Sequence, residues 1–345
     1  MLNSVKKIGR IGIVEGSFWL ALSGTGIEFS VTGHGVGVTL LADNSCFDKK
    51  EDMARVAVFL DGEKVFDFLL DEPVKEVTVF ESETEETHTV KVLKLSESAM
   101  STCGIARIET DGAILPTKDK EKFIEFIGDS ITCGYGVDDE DRDHHFATAT
   151  EDVTRAYAFK TAEKLGADYS MVSFSGYGIV SGYTATGEKM GNQLVPDYYE
   201  KLGYSYHSYL DTFTPQEVNW DFSERQPDLI VINLGTNDMS YVLDDETRRE
   251  EYISGYRSFL KTVRKQNPKA PILCVLGLMG EALCPAAKEA TERFSKETGD
   301  TQVYYMGFSD QLPEDGYVAD WHPTEVTHEK AAVKLADEIK KIWKK

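Results

Sequence analysis

The sequence predicts an antiparallel β-sandwich followed by a parallel-sheet α/β domain, and three observations carry this reading. Before about residue 115 apolar residues alternate with period two and no helical pattern intervenes; after residue 120 apolar strands are interleaved with helical stretches; between them lies the polar break Pro116-Thr117-Lys118-Asp119-Lys120. A length of 345 residues also suits two domains rather than one, at about 100 to 200 residues each. The expected domains are 1–115 and 120–345.

In the first domain Ile27, Phe29 and Val31 alternate with Glu28 and Ser30, and Val36, Val38 and Leu40 with Gly37 and Thr39. Successive strand side chains point to opposite faces, so such segments bury one face and wet the other. Further runs at 56–60, 65–70, 74–80 and 90–95 are divided by turn chemistry at Asp61-Gly62 and by the polar stretch 81–88. In the second domain, strands at 123–127, 171–174, 229–234, 272–276 and 303–306 are interleaved with helical stretches at 152–165, 246–266, 281–297 and 325–344. That alternation is the βαβ pattern of a parallel sheet.

Lys plus Arg number 37 against 59 Asp plus Glu, a formal charge of −22 that repels phosphate backbones and anionic lipid. Nucleic acid and membrane are therefore not expected partners. No apolar run approaches the roughly 18 residues of a spanning helix. The apolar stretch after Lys6, Lys7 and Arg10 breaks at Glu15, so no export signal is expected. Cys46, Cys103, Cys133, Cys274 and Cys284 are odd in number and never spaced C-x-x-C. They suit a reducing compartment, and the cytoplasm is the expected location.

The chemistry begins where strand 123–127 ends in Gly128-Asp129-Ser130, with Gly134 and Gly136 following. Ligands of open α/β sheets sit at that edge, and the spacing matches neither G-x-G-x-x-G nor a P-loop. A serine nucleophile needs a base and oxyanion donors. Strand 229–234 ends in Gly235-Thr236-Asn237-Asp238 and the strand near 172–174 in Ser175-Gly176-Tyr177-Gly178. The Asn237 amide, the Gly176 N–H and the Ser130 N–H can then converge on one oxygen. Among seven histidines, His322 in Asp320-Trp321-His322-Pro323 lies just before the last helix, on the connection back to the sheet edge. Asp320 beside it can orient the ring.

These blocks, in this order, resemble the SGNH (GDSL-type) hydrolases over about residues 120–345. With a β-sandwich in front, the whole chain resembles the family 2 carbohydrate esterases, which join a jelly-roll-like domain to such a hydrolase. The resemblance implies Ser130 as nucleophile, His322 as general base, and Ser130, Gly176 and Asn237 as oxyanion donors. It also implies removal of acetyl groups from acetylated oligosaccharides or polysaccharides of xylan or mannan type, through an acetyl-serine and without a cofactor or metal. Trp321 is similar to an aromatic that stacks on sugar in that family, and Tyr177 and Tyr183 can line the same cleft. The usual superfamily spacing is Asp-x-x-His, but the residue three before His322 is Ala319. Either Asp320 turns back to the imidazole, which is the expectation, or a backbone carbonyl orients the ring and a Ser130–His322 dyad remains.

Asp139, Asp141 and Asp143 have the spacing of the first EF-hand ligands, but His144 stands where glycine belongs and Thr150 where glutamate belongs. They read as a solvated acidic loop. Two rival functions stay open at this point: a sugar-binding protein with an inert hydrolase domain, and an esterase or lipase acting on a non-carbohydrate acyl ester. The sugar, the hydroxyl position and the oligomeric state are not written in the sequence.

Overall fold

The structure, a computed structural model, describes residues 4–47 and 49–344. Residues 1–3, 48 and 345, part of the expected domain spans, lie outside the described residues. The chain forms two compact units. One holds the residues up to Lys120 with Phe146–Thr154 and Lys201–Trp220, and the other holds Glu121–His145, Arg155–Glu200 and the chain from Asp221 onward.

The first unit is a single nine-stranded antiparallel sheet curled around one apolar core. Its strands are β1 (Lys6–Ile8), β2 (Ile11–Val14), β3 (Ser17–Leu20), β4 (Gly26–Ala42), β5 (Arg55–Leu60), β6 (Glu63–Leu69), β7 (Val74–Lys94), β8 (Cys103–Thr110) and β9 (Ala113–Pro116). They run in the order β2-β3-β8-β4-β7-β5-β6, with β1 and β9 also paired to β4. The long β4 explains the alternation in the sequence. Its buried positions are odd at Ile27, Phe29 and Val31 and even at Val36, Val38 and Leu40. A change of parity needs an extra residue, and the pairing with β7 is irregular between Gly33 and Gly35 and again between Val36 and Gly37. β7 continues through the polar, mostly exposed stretch 81–88: Glu81 pairs with Gly35, Glu86, Thr87 and His88 pair with Gly33, Thr32 and Val31, and 82–85 fall within the register shift between Gly33 and Gly35. The segment Lys201–Trp220 adds a second cluster to this unit, in which the Tyr209 ring stacks on Trp19 at 5.5 Å beside Leu202.

The second unit is built on five parallel strands: β10 (Phe123–Gly128), β11 (Asp168–Ser173), β12 (Leu229–Asn233), β13 (Ile272–Leu278) and β14 (Val303–Asp310), in the order β11-β10-β12-β13-β14. β10, β11 and β12 are buried along nearly their whole length, as a sheet covered on both faces requires. The helices are α1 (Ser130–Cys133), α2 (Tyr157–Leu165), α3 (Val195–Tyr198), α4 (Thr236–Val242), α5 (Glu246–Gln266), α6 (Cys284–Thr298) and α7 (Glu325–Ile342). A two-residue ladder, β15 (Tyr317–Val318) with β16 (His322–Pro323), precedes α7. The chain passes from β10 to β11 on one side and then to β12 on the other, so the strand order reverses between β10 and β12. Crevices form at the carboxyl ends of strands at such a switch point. Among the described residues no helix is long and apolar enough to cross a membrane.

Candidate active site

Ser130 opens α1 directly after β10. Asp129 caps this helix, its carboxylate accepting from Ile131 N at 3.1 Å, and Gly134 closes it at φ 83°. Gly128 is required just before, since a Cβ there would meet Thr132 Oγ1 at 2.0 Å. First-turn N–H groups have no acceptor inside a helix, so the Ser130 N–H is of the kind that serves an external oxygen. Asp129 is fully buried, and that burial pushes its carboxyl up to about 7.

His322 Nε2 lies 2.9 Å from Ser130 Oγ, and His322 Nδ1 lies 3.1 Å from the Ala319 carbonyl oxygen. A carbonyl only accepts, so the proton sits on Nδ1 and the Nε2 lone pair faces the serine hydroxyl. Burial drives the imidazole down to about 4, against the Ala319 bond and the Asp320 charge, which both act upward. The ring is therefore neutral near pH 7 and fit to accept a proton.

The expectation that Asp320 turns back to His322 Nδ1 is corrected here. Asp320 adopts φ 51° and Trp321 φ 63°, a left-handed pair that swings the carboxylate away and puts the Ala319 carbonyl on Nδ1. The Asp320 carboxylate instead accepts from Tyr135 Oη at 2.5 Å and faces His145 Nδ1 at 2.9 Å. Burial acts to raise its pKa, yet these two bonds hold it below the ordinary value.

Asn237 is the second residue of α4, beyond β12. Its Nδ2 donates to the Tyr177 carbonyl at 2.8 Å, which fixes the amide orientation and leaves a second N–H on the same nitrogen. Gly176 takes φ 80°, and its carbonyl accepts from Tyr183 N at 2.8 Å. Behind them the buried Asp238 carboxylate accepts from Ile179 N, Val180 N and Ser181 N at 2.8–3.1 Å. Burial raises Asp238 to about 6 against those bonds.

Ser130, Gly176, Asn237 and His322 share a cavity of about 690 Å³ with Tyr135, Tyr183, Thr236, Met239, Ser240, Met279, Asp320 and Trp321. That volume holds a ligand of sugar size or larger. Trp321 and Tyr183 stand on its rim, 47% and 59% exposed. A larger, shallower depression of about 890 Å³ on the first unit lies among His34, Phe80, Glu81, Glu109 and Asp111.

Residues 126–330 match the model of the GDSL-like Lipase/Acylhydrolase family. The chain belongs to that family. Residues 7–117 match the Carbohydrate esterase 2 N-terminal model, so both halves agree with the resemblance seen in the sequence. The chain is 30% identical over 326 residues to Cellulase/esterase CelE of Acetivibrio thermocellus, covering 93% of this chain and 37% of CelE. It is 27% identical over 301 residues to an Acetylxylan esterase / glucomannan deacetylase of Cellvibrio japonicus, covering 83% and 76%. The chain thus spans little more than a third of CelE's length. Among solved structures, a family two carbohydrate esterase from Clostridium thermocellum in complex with cellohexaose matches with a TM-score of 0.84 at 28% identity over 98% of both chains.

Within this GDSL-type site one more expectation is corrected. Tyr177 does not line the cavity: its ring is 2% exposed and packs on Phe174 and Tyr198, at 5.5 and 6.0 Å, because the Gly176 turn directs it inward. Only its carbonyl serves the site. The acidic loop spends its carboxylates on itself, Asp139 Oδ1 accepting from Asp141 N and Asp141 Oδ1 from Asp143 N, both at 2.9 Å. Its far end meets the site instead, through His145. The sequence reading missed Tyr135, whose ring stacks on His322 with centroids 3.9 Å apart and planes 16° apart. It also missed Met239 and Met279. Nothing in the sequence marks these three apart from core residues, except that Tyr135 lies between two glycines.

Proposed function

We propose that the protein is a serine carbohydrate esterase that removes O-acetyl groups from acetylated xylan- or mannan-type oligosaccharides or polysaccharides. The observation that carries this is the 2.9 Å contact of Ser130 Oγ with His322 Nε2, at a cavity that Gly176 and Asn237 also line and that carries exposed aromatics on its rim. His322 Nε2 takes the Ser130 proton as Oγ attacks the acetyl carbonyl. The oxyanion is held by the Ser130 and Gly176 N–H groups and the remaining Asn237 N–H. Collapse breaks the bond to the sugar oxygen, which receives the proton from Nε2, and acetyl-Ser130 remains. Water then repeats the sequence, releasing acetate and restoring Ser130. Trp321 and Tyr183 offer ring faces to the sugar.

The similarity to an acetylxylan esterase / glucomannan deacetylase supports the acetyl ester as substrate, and the cellohexaose-bound relative supports a β-linked sugar chain in the cleft. The contact between an intact nucleophile and its base speaks against the inert sugar-binding alternative. The cysteine pattern supports a cytoplasmic setting, with imported oligosaccharides as substrate. The test is mass spectrometry of acetylated xylo- and manno-oligosaccharides before and after incubation. Loss of acetyl mass by wild type and not by Ser130→Ala supports the reading; unchanged sugars with both would overturn it.

A further inference from the structure

We propose that Tyr135 is a positioning residue for the His322 base and the route by which Asp320 acts on it; the inference rests on the esterase reading above. Tyr135 belongs to the same turn as the nucleophile. Both Gly134 N and Tyr135 N donate to the Ser130 carbonyl, at 3.1 and 3.2 Å, so the ring is tied by its own backbone to the residue His322 must serve. Gly136 follows at φ 61°, where a Cβ would come within 2.8 Å of Ala319 Cβ. That close approach brings the Tyr135 turn against the turn that supplies the carbonyl to His322 Nδ1.

The His322 ring is then held within its plane and on one face. Ala319 O and Ser130 Oγ hold its two nitrogens within the ring plane, and the Tyr135 face, 3.9 Å from centroid to centroid, closes off one side. A flat stack blocks tilting, which hydrogen bonds at the two ring nitrogens alone resist poorly. The phenol oxygen in turn donates to Asp320 Oδ2 at 2.5 Å. This bond fixes the tilt of the phenol ring, and donation to a carboxylate enriches the ring's π-face. When His322 takes the serine proton, the imidazolium lies against that face, a favourable arrangement for a cation. Asp320 therefore reaches the base through a stacked phenol, where a triad would use a bond to Nδ1.

The test is steady-state kinetics on an acetylated xylo-oligosaccharide with wild type, Tyr135→Leu, Tyr135→Phe, Asp320→Asn and the Tyr135→Phe/Asp320→Asn double variant. Tyr135→Leu should lower kcat about 100-fold with KM little changed, the cost of a base free to tilt. Tyr135→Phe, which keeps the stack, should restore kcat to about tenfold below wild type, the loss of one charge-assisted bond. Asp320→Asn should match it, and the double variant should fall no further, since both remove the same link. Wild-type kcat in Tyr135→Leu, or losses in Tyr135→Phe and Asp320→Asn that multiply in the double variant, would overturn the inference while leaving the esterase reading intact. Should Tyr135→Leu not fold, the Phe and Asn variants and their double still decide. An inactive wild type would overturn the esterase reading and this inference with it.

Discussion

His322 Nδ1 meets the backbone carbonyl of Ala319 at 3.1 Å, and among the described residues no side-chain carboxylate is bonded to that nitrogen. The oxygen that orients His322 thus comes from the main chain, where it carries no full charge and does not titrate. A mutation cannot remove it, though one can move the turn that presents it.

The first consequence concerns Asp320→Asn. In a hydrogen-bonded triad the equivalent change costs about 10⁴ in kcat, through the wrong tautomer. Here the tautomer is set by Ala319, so the expected loss is about tenfold, or 1.4 kcal/mol of barrier. Steady-state kcat at neutral pH checks this, and a loss of a thousandfold or more would mean that the carboxylate does turn onto Nδ1.

The pH profile follows from the burial of His322. An imidazole held down at about 4 is neutral and able to accept a proton at any higher pH, and is lost as a base when pH falls through that value. The acid limb of kcat/KM, which reports the free enzyme, is expected near 4 rather than near the ordinary histidine value of about 6.5. The buried carboxyls of Asp129 and Asp238, at about 7 and 6, can place a limb there too, so the ring is read directly by NMR: a His322 imidazole that titrates between 6 and 7 would contradict the buried, neutral base.

Asn237→Ala removes a donor whose second N–H is free for the oxyanion. The expected loss is about 100- to 1,000-fold in kcat with little change in KM, because the bond matters in the transition state. A change confined to KM would make Asn237 a ground-state contact.

Trp321→Ala should act the other way. The ring is exposed on the rim, with the Arg142 guanidinium 4.2 Å from its centroid and Tyr317 tilted against it at 5.2 Å. Loss of a stacking face should raise KM by about tenfold or less at nearly constant kcat, the scale of one aromatic contact. An unchanged KM on long and short acetylated oligosaccharides would remove Trp321 from substrate binding.

Much of this was legible in the sequence because it rests on short-range rules. Runs such as Phe123 to Ile127 and Leu229 to Leu234 announce buried strands, and the polar residues that follow each are placed at one sheet edge by parallel topology alone. What was not legible depends on tertiary geometry. The polar stretch 81–88 looks like a loop but is the middle of β7, since pairing with β4 on both sides of a bulge at 82–85 carries the strand across it whatever its side chains do. The segment Lys201–Trp220 carries no strand or long helix, and its membership of the first unit is set by Tyr209 and Leu202 finding Trp19. Sequence spacing put a carboxylate two residues before His322 but could not say which way it points, because that depends on left-handed backbone at Asp320 and Trp321. Tyr135 was invisible for the same reason: a tyrosine between glycines becomes part of the site only through its stack on a residue far along the chain.

Rapid-quench mass spectrometry detects an acetyl group carried on Ser130. Enzyme mixed with an acetylated xylo-oligosaccharide, stopped in acid within a turnover and digested, should show one added acetyl on the peptide containing Ser130, absent from Ser130→Ala and gone once substrate is exhausted. Full deacetylation of the sugar with no acetyl ever found on that peptide, and with Ser130→Ala turning over as fast as wild type, would rule out an acetyl-Ser130 intermediate.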